Sequence, residues 1–103
     1  MSGAWTILAT GTGDSATAAS VAIPKPAGGG RIKIAAVSAS FSVAAIKSFT
    51  IVDGSTTKGT YHVHNQRDVL FDPPLDVADS ATVSLAAVGA AGASAINVHY
   101  FKL

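Results

Sequence analysis

Arg31-Ile32-Lys33-Ile34-Ala35-Ala36-Val37-Ser38-Ala39-Ser40-Phe41-Ser42-Val43 is the stretch that decides the fold. It opens in strict alternation. Arg31 and Lys33 fall on one side and Ile32 and Ile34 on the other, which is the two-residue period of a half-buried strand. The apolar positions then change phase, to Val37, Ala39, Phe41 and Val43. A bulge or bend near Ala35-Ala36 produces such a shift, and so does burial on both faces.

Working outward, the rest of the chain reads the same way. Strands are expected over residues 5–10, 16–23, 31–43, 46–53, 60–64, 68–71, 81–88 and 94–102. The breaks between them carry turn chemistry: Gly11-Thr12-Gly13-Asp14, Pro24-Lys25-Pro26-Ala27-Gly28-Gly29-Gly30, Asp53-Gly54, Asp72-Pro73-Pro74, Asp79-Ser80 and Gly89-Ala90-Ala91-Gly92. No segment keeps a 3.6-residue apolar period between caps. The Ala-rich run 81–95 comes nearest, but Gly89 and Gly92 interrupt it and Thr82-Val83-Ser84-Leu85 alternates. About eight short strands at even spacing predict an all-β chain, a single antiparallel β-sandwich over residues 1–103, with residues 1–12 as an extended N-terminal arm.

Composition sets the class of function. The chain has 103 residues, a net charge of +1, 49% hydrophobic residues and only 13% charged ones. That excludes charge-driven disorder and the clustered basic surface that nucleic-acid binding needs. Twenty residues are Ala, eleven Ser and nine Thr, and there is no Glu. A surface so poor in charge suits a protein whose faces are covered by other protein. No Cys means no disulfide framework and no thiolate chemistry. Met1-Ser2-Gly3-Ala4-Trp5 lacks the basic and apolar regions of a signal peptide, and no apolar run reaches membrane-spanning length.

Few residues are candidates for chemistry. His62-Val63-His64 places two imidazoles on one strand face, the beginning of a metal site that His99 or Asp68 would complete if the fold brings it near. The plainer reading makes Thr60, His62, His64 and Gln66 the polar face of a strand whose Tyr61 and Val63 point to the core. Asp14, Asp53, Asp72 and Asp79 sit in turns, where Asp caps its own backbone. No Gly-x-Ser-x-Gly elbow is present, and Gly28-Gly29-Gly30-Arg31 lacks the Lys-Ser/Thr of a phosphate loop. Nothing here assembles a catalytic constellation, so no enzyme activity is expected. Arg31 and Lys33 share a face that suits an acidic partner, with solvent as the default. Trp5 is expected to pack in the core or against a neighbour.

Three resemblances add to this reading. The order His62-x-His64-x-x-x-Asp68 resembles the first motif of the cupin metal site, with Asp in place of Glu and without the later Gly-rich motif that carries a further His. The His-x-His pair is similar to the iron-holding motif of trimeric phage tail fibres, which implies six imidazoles around a three-fold axis. The third resemblance covers most of the chain from about Gly30 onward. Arg31 to Ser40, Ile51-Val52-Asp53-Gly54, Phe71-Asp72-Pro73-Pro74-Leu75 and the Ala/Gly-rich C-terminal hairpin together look like the short β-sandwich structural proteins of tailed bacteriophages.

That third likeness implies a two-sheet sandwich, a jelly roll being one form of it. It also implies a homo-oligomer, often a trimer, that decorates or cements a capsid by binding the major capsid protein or other virion proteins. The expected place is then the virion, after synthesis in the host cytoplasm, with no nucleic acid, membrane or cofactor as partner. A neck, tail or receptor-binding knob is the nearest alternative. A small metal-binding or carbohydrate-binding β-sandwich using His62, His64 and His99 is the other.

Overall fold

Alternation in the sequence becomes alternation in burial. In the computed structural model, which describes residues 7–89 and 91–102, β3 (Ile32–Phe41) buries Ile32, Ile34, Val37 and Ala39, and β8 (Ser94–Lys102) buries Ile96, Val98 and Tyr100. The phase change in β3 is a β-bulge: its register against both neighbours slips between Ile34 and Ala36. The extra residue lets β3 keep one apolar face toward the core along its whole length.

The remaining strands are β1 (Ile7–Gly13), β2 (Ala19–Ile23), β4 (Ile46–Asp53), β5 (Thr56–His64), β6 (Gln66–Val77) and β7 (Ala81–Leu85), with a 3-10 turn at Ala27–Gly29. They form two four-stranded antiparallel sheets, ordered β1-β8-β3-β6 and β2-β7-β4-β5. This is an all-β sandwich with jelly-roll strand order. The inward side chains of both sheets, with Phe49, Ile51, Val83 and Leu85 from the second, make one core.

Some boundaries differ from the sequence reading. Residues 7–12 are not an arm; they lie in β1, paired residue by residue with β8. Trp5 and residues 1–6 lie outside the described residues. The Pro73-Pro74 break falls inside β6, which runs through both prolines with a cis Asp72-Pro73 bond. Both prolines are tolerated because residues 71–74 fall where β6 leaves its register with β3, between Leu70 and Leu75, and because β6 is an edge strand with no further neighbour. Gln66 opens β6 on the first sheet, so it does not share a face with His62 and His64.

The two long sides of the sandwich are closed differently. On one side, the β1 backbone rests against β2. A Cβ on Gly11 would lie 2.3 Å from the Ser20 carbonyl oxygen, and one on Gly13 would lie 2.3 Å from that of Thr17. On the other side, edge strands β5 and β6 are held apart by aromatic rings. Tyr61 stacks on Phe49 at 5.0 Å between centroids, and Phe71 meets Tyr61 edge-on at 5.8 Å.

The connections sort to two ends. Residues 14–18, 42–45, 65, 86–89 and 91–93 gather at one, tied by bonds such as Val88 N–H to Asp14 O (3.3 Å) and Ser42 N–H to Ala93 O (2.9 Å). The Asp53-Gly54 turn and the β6–β7 turn meet at the other. There the Asp53 carboxylate accepts from the amides of Asp79 (2.9 Å) and Ala78 (3.1 Å). Arg31 and Lys33 do meet an acid, and it is internal: the Asp76 carboxylate accepts from Arg31 Nε at 2.9 Å and lies 3.0 Å from Lys33 Nζ. The Arg31 guanidinium first, then the Lys33 ammonium, holds the Asp76 carboxyl well below the usual carboxylate range.

Two outcomes follow from these contacts. Gly11→Ala drives a methyl into the Ser20 backbone, and overpacking of this kind costs about 1–3 kcal/mol. A lower urea midpoint with an unchanged slope checks it. Because folding lowers the Asp76 pKa, its contribution is present above the unfolded value of about 4 and disappears as pH falls below that. Wild type is therefore expected to be the more stable of wild type and Asp76→Asn at pH 7, with the gap closing in urea melts toward pH 2.

Candidate functional site

β5 is turned by its pleat so that Val63 is buried and Tyr61 half-buried, while Thr60, His62 and His64 are exposed on the outer face of the second sheet. His99 alternates with buried Val98 and Tyr100, so it projects from the outer face of the first sheet, across the sandwich from the other two. Asp68 pairs in register with Ser38 and also projects from the first sheet. The structure therefore brings His62 and His64 together and separates both from His99 and Asp68. The reason lies in the β5–β6 connection. It crosses from one sheet to the other, so residues close in sequence diverge in space. Among the described residues no group of three or more His, Cys, Asp or Glu side chains is placed to hold a metal ion. The three-histidine site expected from sequence is not assembled within one chain.

A concavity at the loop end uses one of these histidines in another way. An open hollow of about 470 Å³ lies at the loop end, lined by Ala44, Ala45, Ile46, His64 and Asn65. Ile46 and His64 face each other across the β4–β5 ladder. Ile46 is 67% exposed, which leaves its side chain as a bare apolar floor. Asn65 builds the rim. It adopts φ 65°, a left-handed conformation that Asn tolerates better than other residues with a Cβ.

From that position three hydrogen bonds tie the connections together. Asn65 N–H donates to Ala45 O at 2.9 Å, its Oδ1 accepts from Ala45 N–H at 2.9 Å, and its carbonyl accepts from Phe41 N–H at 2.9 Å. Among the described residues, neither the Asn65 Nδ2 group nor the His64 ring has a protein hydrogen-bond partner. The lining carries no carboxylate, ammonium or guanidinium. Sequence reading singled out His64 but missed Ile46 and Asn65. The local signal was a lone exposed-phase Ile opening a strand and an Asn between two strands.

The acids are structural where their partners are visible. The Asp14 carboxylate accepts from Ala16 N–H and Thr17 N–H, both at 2.9 Å, and these amide bonds lower its pKa. Asp53 and Asp79 bind turn amides, and Asp76 binds two cations.

No protein-family model matches this chain, and no curated protein does. Solved structures similar to it include a family 32 carbohydrate-binding module from C. perfringens NanJ in complex with galactose. It has a TM-score of 0.46 and 16% identity, over 90% of this chain and 93% of that one. Another is the CBM36-1 domain of a multidomain xylanase from the hindgut metagenome of Trinervitermes trinervoides. It has a TM-score of 0.37 and 14% identity, over 98% and 86%. Likeness at this level adds nothing to what the strand order establishes.

Asn65 is the residue whose replacement tests the rim. Asn65→Ala loses a hydrogen bond and strains the left-handed position, together about 2 kcal/mol. Asn65→Gly keeps the conformation and is expected to cost about half of that. Chemical denaturation of both variants distinguishes them, and His62→Ala, on the open sheet face, is expected to leave the midpoint unchanged.

Proposed function

We propose that this chain is a non-catalytic binding module that takes a neutral carbohydrate in the hollow at the loop end. The observation that carries this reading is the lining itself. Ile46 offers a flat apolar contact for the C–H face of a sugar ring. The His64 imidazole and Asn65 Nδ2 offer polar groups at its border for hydroxyls. A charged ligand would find no opposite charge there, whereas a neutral polyol needs none. The volume falls within the range of small-ligand sites, about 300–1,000 Å³. Jelly rolls host lectin-type binding as well as capsid assembly, so the fold permits the reading without choosing it.

Titration of the labelled protein with galactose, glucose, mannose and xylose tests it. Open, shallow contact of this kind suits a Kd of about 1 mM. Amide shifts are expected at Ile46, His64 and Asn65, with at least fivefold weaker binding in Ile46→Asp. Shifts scattered over the surface, or none with any sugar, refute the proposal.

A second reading, a homo-oligomeric structural subunit of a phage virion, is favoured by a different observation. Leu70, 81% exposed, lies in register with Ala36, which in turn pairs with His99, itself opposite Leu8, 54% exposed. That row crosses the outer face of the first sheet without a charge. Light scattering decides it: a stable trimer that Leu70→Asp dissociates supports assembly through this face, and a monomer at all concentrations removes it.

A further inference from the structure

A sandwich of two four-stranded sheets has four edges, and three of them suit a further strand poorly. The inner face of β1 rests on the β2 backbone at Gly11 and Gly13, which draws these two edges together on one closed side. β2 has only five residues. β6 contains Pro73 and Pro74, which have no N–H to offer a further strand. The fourth edge, β5, is nine residues long and contains no proline.

Its unpaired side can be read from one bond. Arg67 Nη1 donates to the carbonyl of His62 at 2.9 Å, so the backbone of His62 points away from β4. In an antiparallel ladder the same orientation recurs at every second residue. Thr60 and His64 therefore turn their N–H and C=O groups outward with it. Asn65 N–H bonding to Ala45 O agrees with that parity.

The edge strand itself carries charge of one sign. From Thr56 to Arg67 the chain holds Lys58 and Arg67 and no carboxylate. Arg67 lies across the Tyr61 ring, 5.9 Å from its centroid, which keeps its charge beside the edge. On the neighbouring strand β4, Lys47 turns away from this edge toward the loop after β7, its Nζ beside Gly89, while Asp53 engages the amides of Ala78 and Asp79 at the far end. Asp68 and Asp72 follow on β6; Asp68 projects from the outer face of the other sheet.

We propose that the β5 edge is a docking site for an extended acidic peptide segment, added as a fifth strand to the second sheet. Main-chain bonds to Thr60, to His64 and to the His62 N–H hold the segment, the His62 carbonyl being already held by Arg67, and carboxylates of the segment meet Lys58 and Arg67. This surface is distinct from the hollow and from the Leu70 face, and its occupant is a polypeptide.

The probe is a synthetic peptide of β5's length alternating valine with aspartate, titrated into the isotope-labelled full chain. The amides of Thr60, His62 and His64 are expected to shift and to exchange more slowly with solvent. Binding is expected to weaken at least tenfold between about 20 and 200 mM salt. Thr60→Pro removes an outward N–H that β4 does not use, so it is expected to abolish binding while the midpoint of unfolding holds. Should that variant fail to fold, Lys58→Glu serves. It is expected to weaken the aspartate peptide at least fivefold and to improve a valine–lysine counterpart. Equal binding of the two peptides, shifts outside β5, or no binding overturns the proposal. Concentration-dependent pairing of β5 with β5 of a second copy, seen without peptide, also overturns it.

Discussion

The missing Cβ at Gly11 governs how the two sheets of this protein meet. Because that position carries only hydrogen, the β1 backbone settles onto the backbone of β2. The opposite side is propped open by the stacked Phe49, Tyr61 and Phe71 rings. Between them the apolar rows of both sheets interdigitate as a single core. An aromatic stack of this sort contributes about 0.5–1.5 kcal/mol beyond the area it buries. It also fixes the spacing of the β5 and β6 edges, and with it the position of Arg67 over Tyr61.

Polar groups in the protein mostly serve its ends. Asp14 and Asn65 organise the loop end through backbone amides, while Asp53 ties two turns together at the other. The Asp76 carboxylate gathers Arg31 and Lys33, and the outer faces of the two sheets mix Ser, Thr and Ala with His62, His64, His99 and Asp68 and a few exposed aliphatic side chains. Among the described residues the perturbed groups, Asp14, Arg31 and Asp76, are each satisfied by a structural partner.

The hollow and the β5 edge share a strand but not a face. His64 ends β5 beside Ile46, and its side chain belongs to the hollow. Its backbone, with those of Thr60 and His62, belongs to the edge. The two binding surfaces can thus be probed independently, one through side chains and the other through main-chain groups.

Strand class, the bulge near Ala35, the Asp53-Gly54 turn, the inward Tyr61 and Val63 and the outward His62 and His64 were all legible in the sequence. Each depends on local parity or on a residue's own backbone preference, and neighbours in sequence carry that information. The strand order, the separation of His99 and Asp68 from His62 and His64, the pairing of Arg31 with Asp76 and the joining of Ile46 to Asn65 were not legible. Those depend on which sheet each strand enters. That choice is made by packing between residues far apart in the chain, so only the tertiary structure decided which of the legible residues would meet.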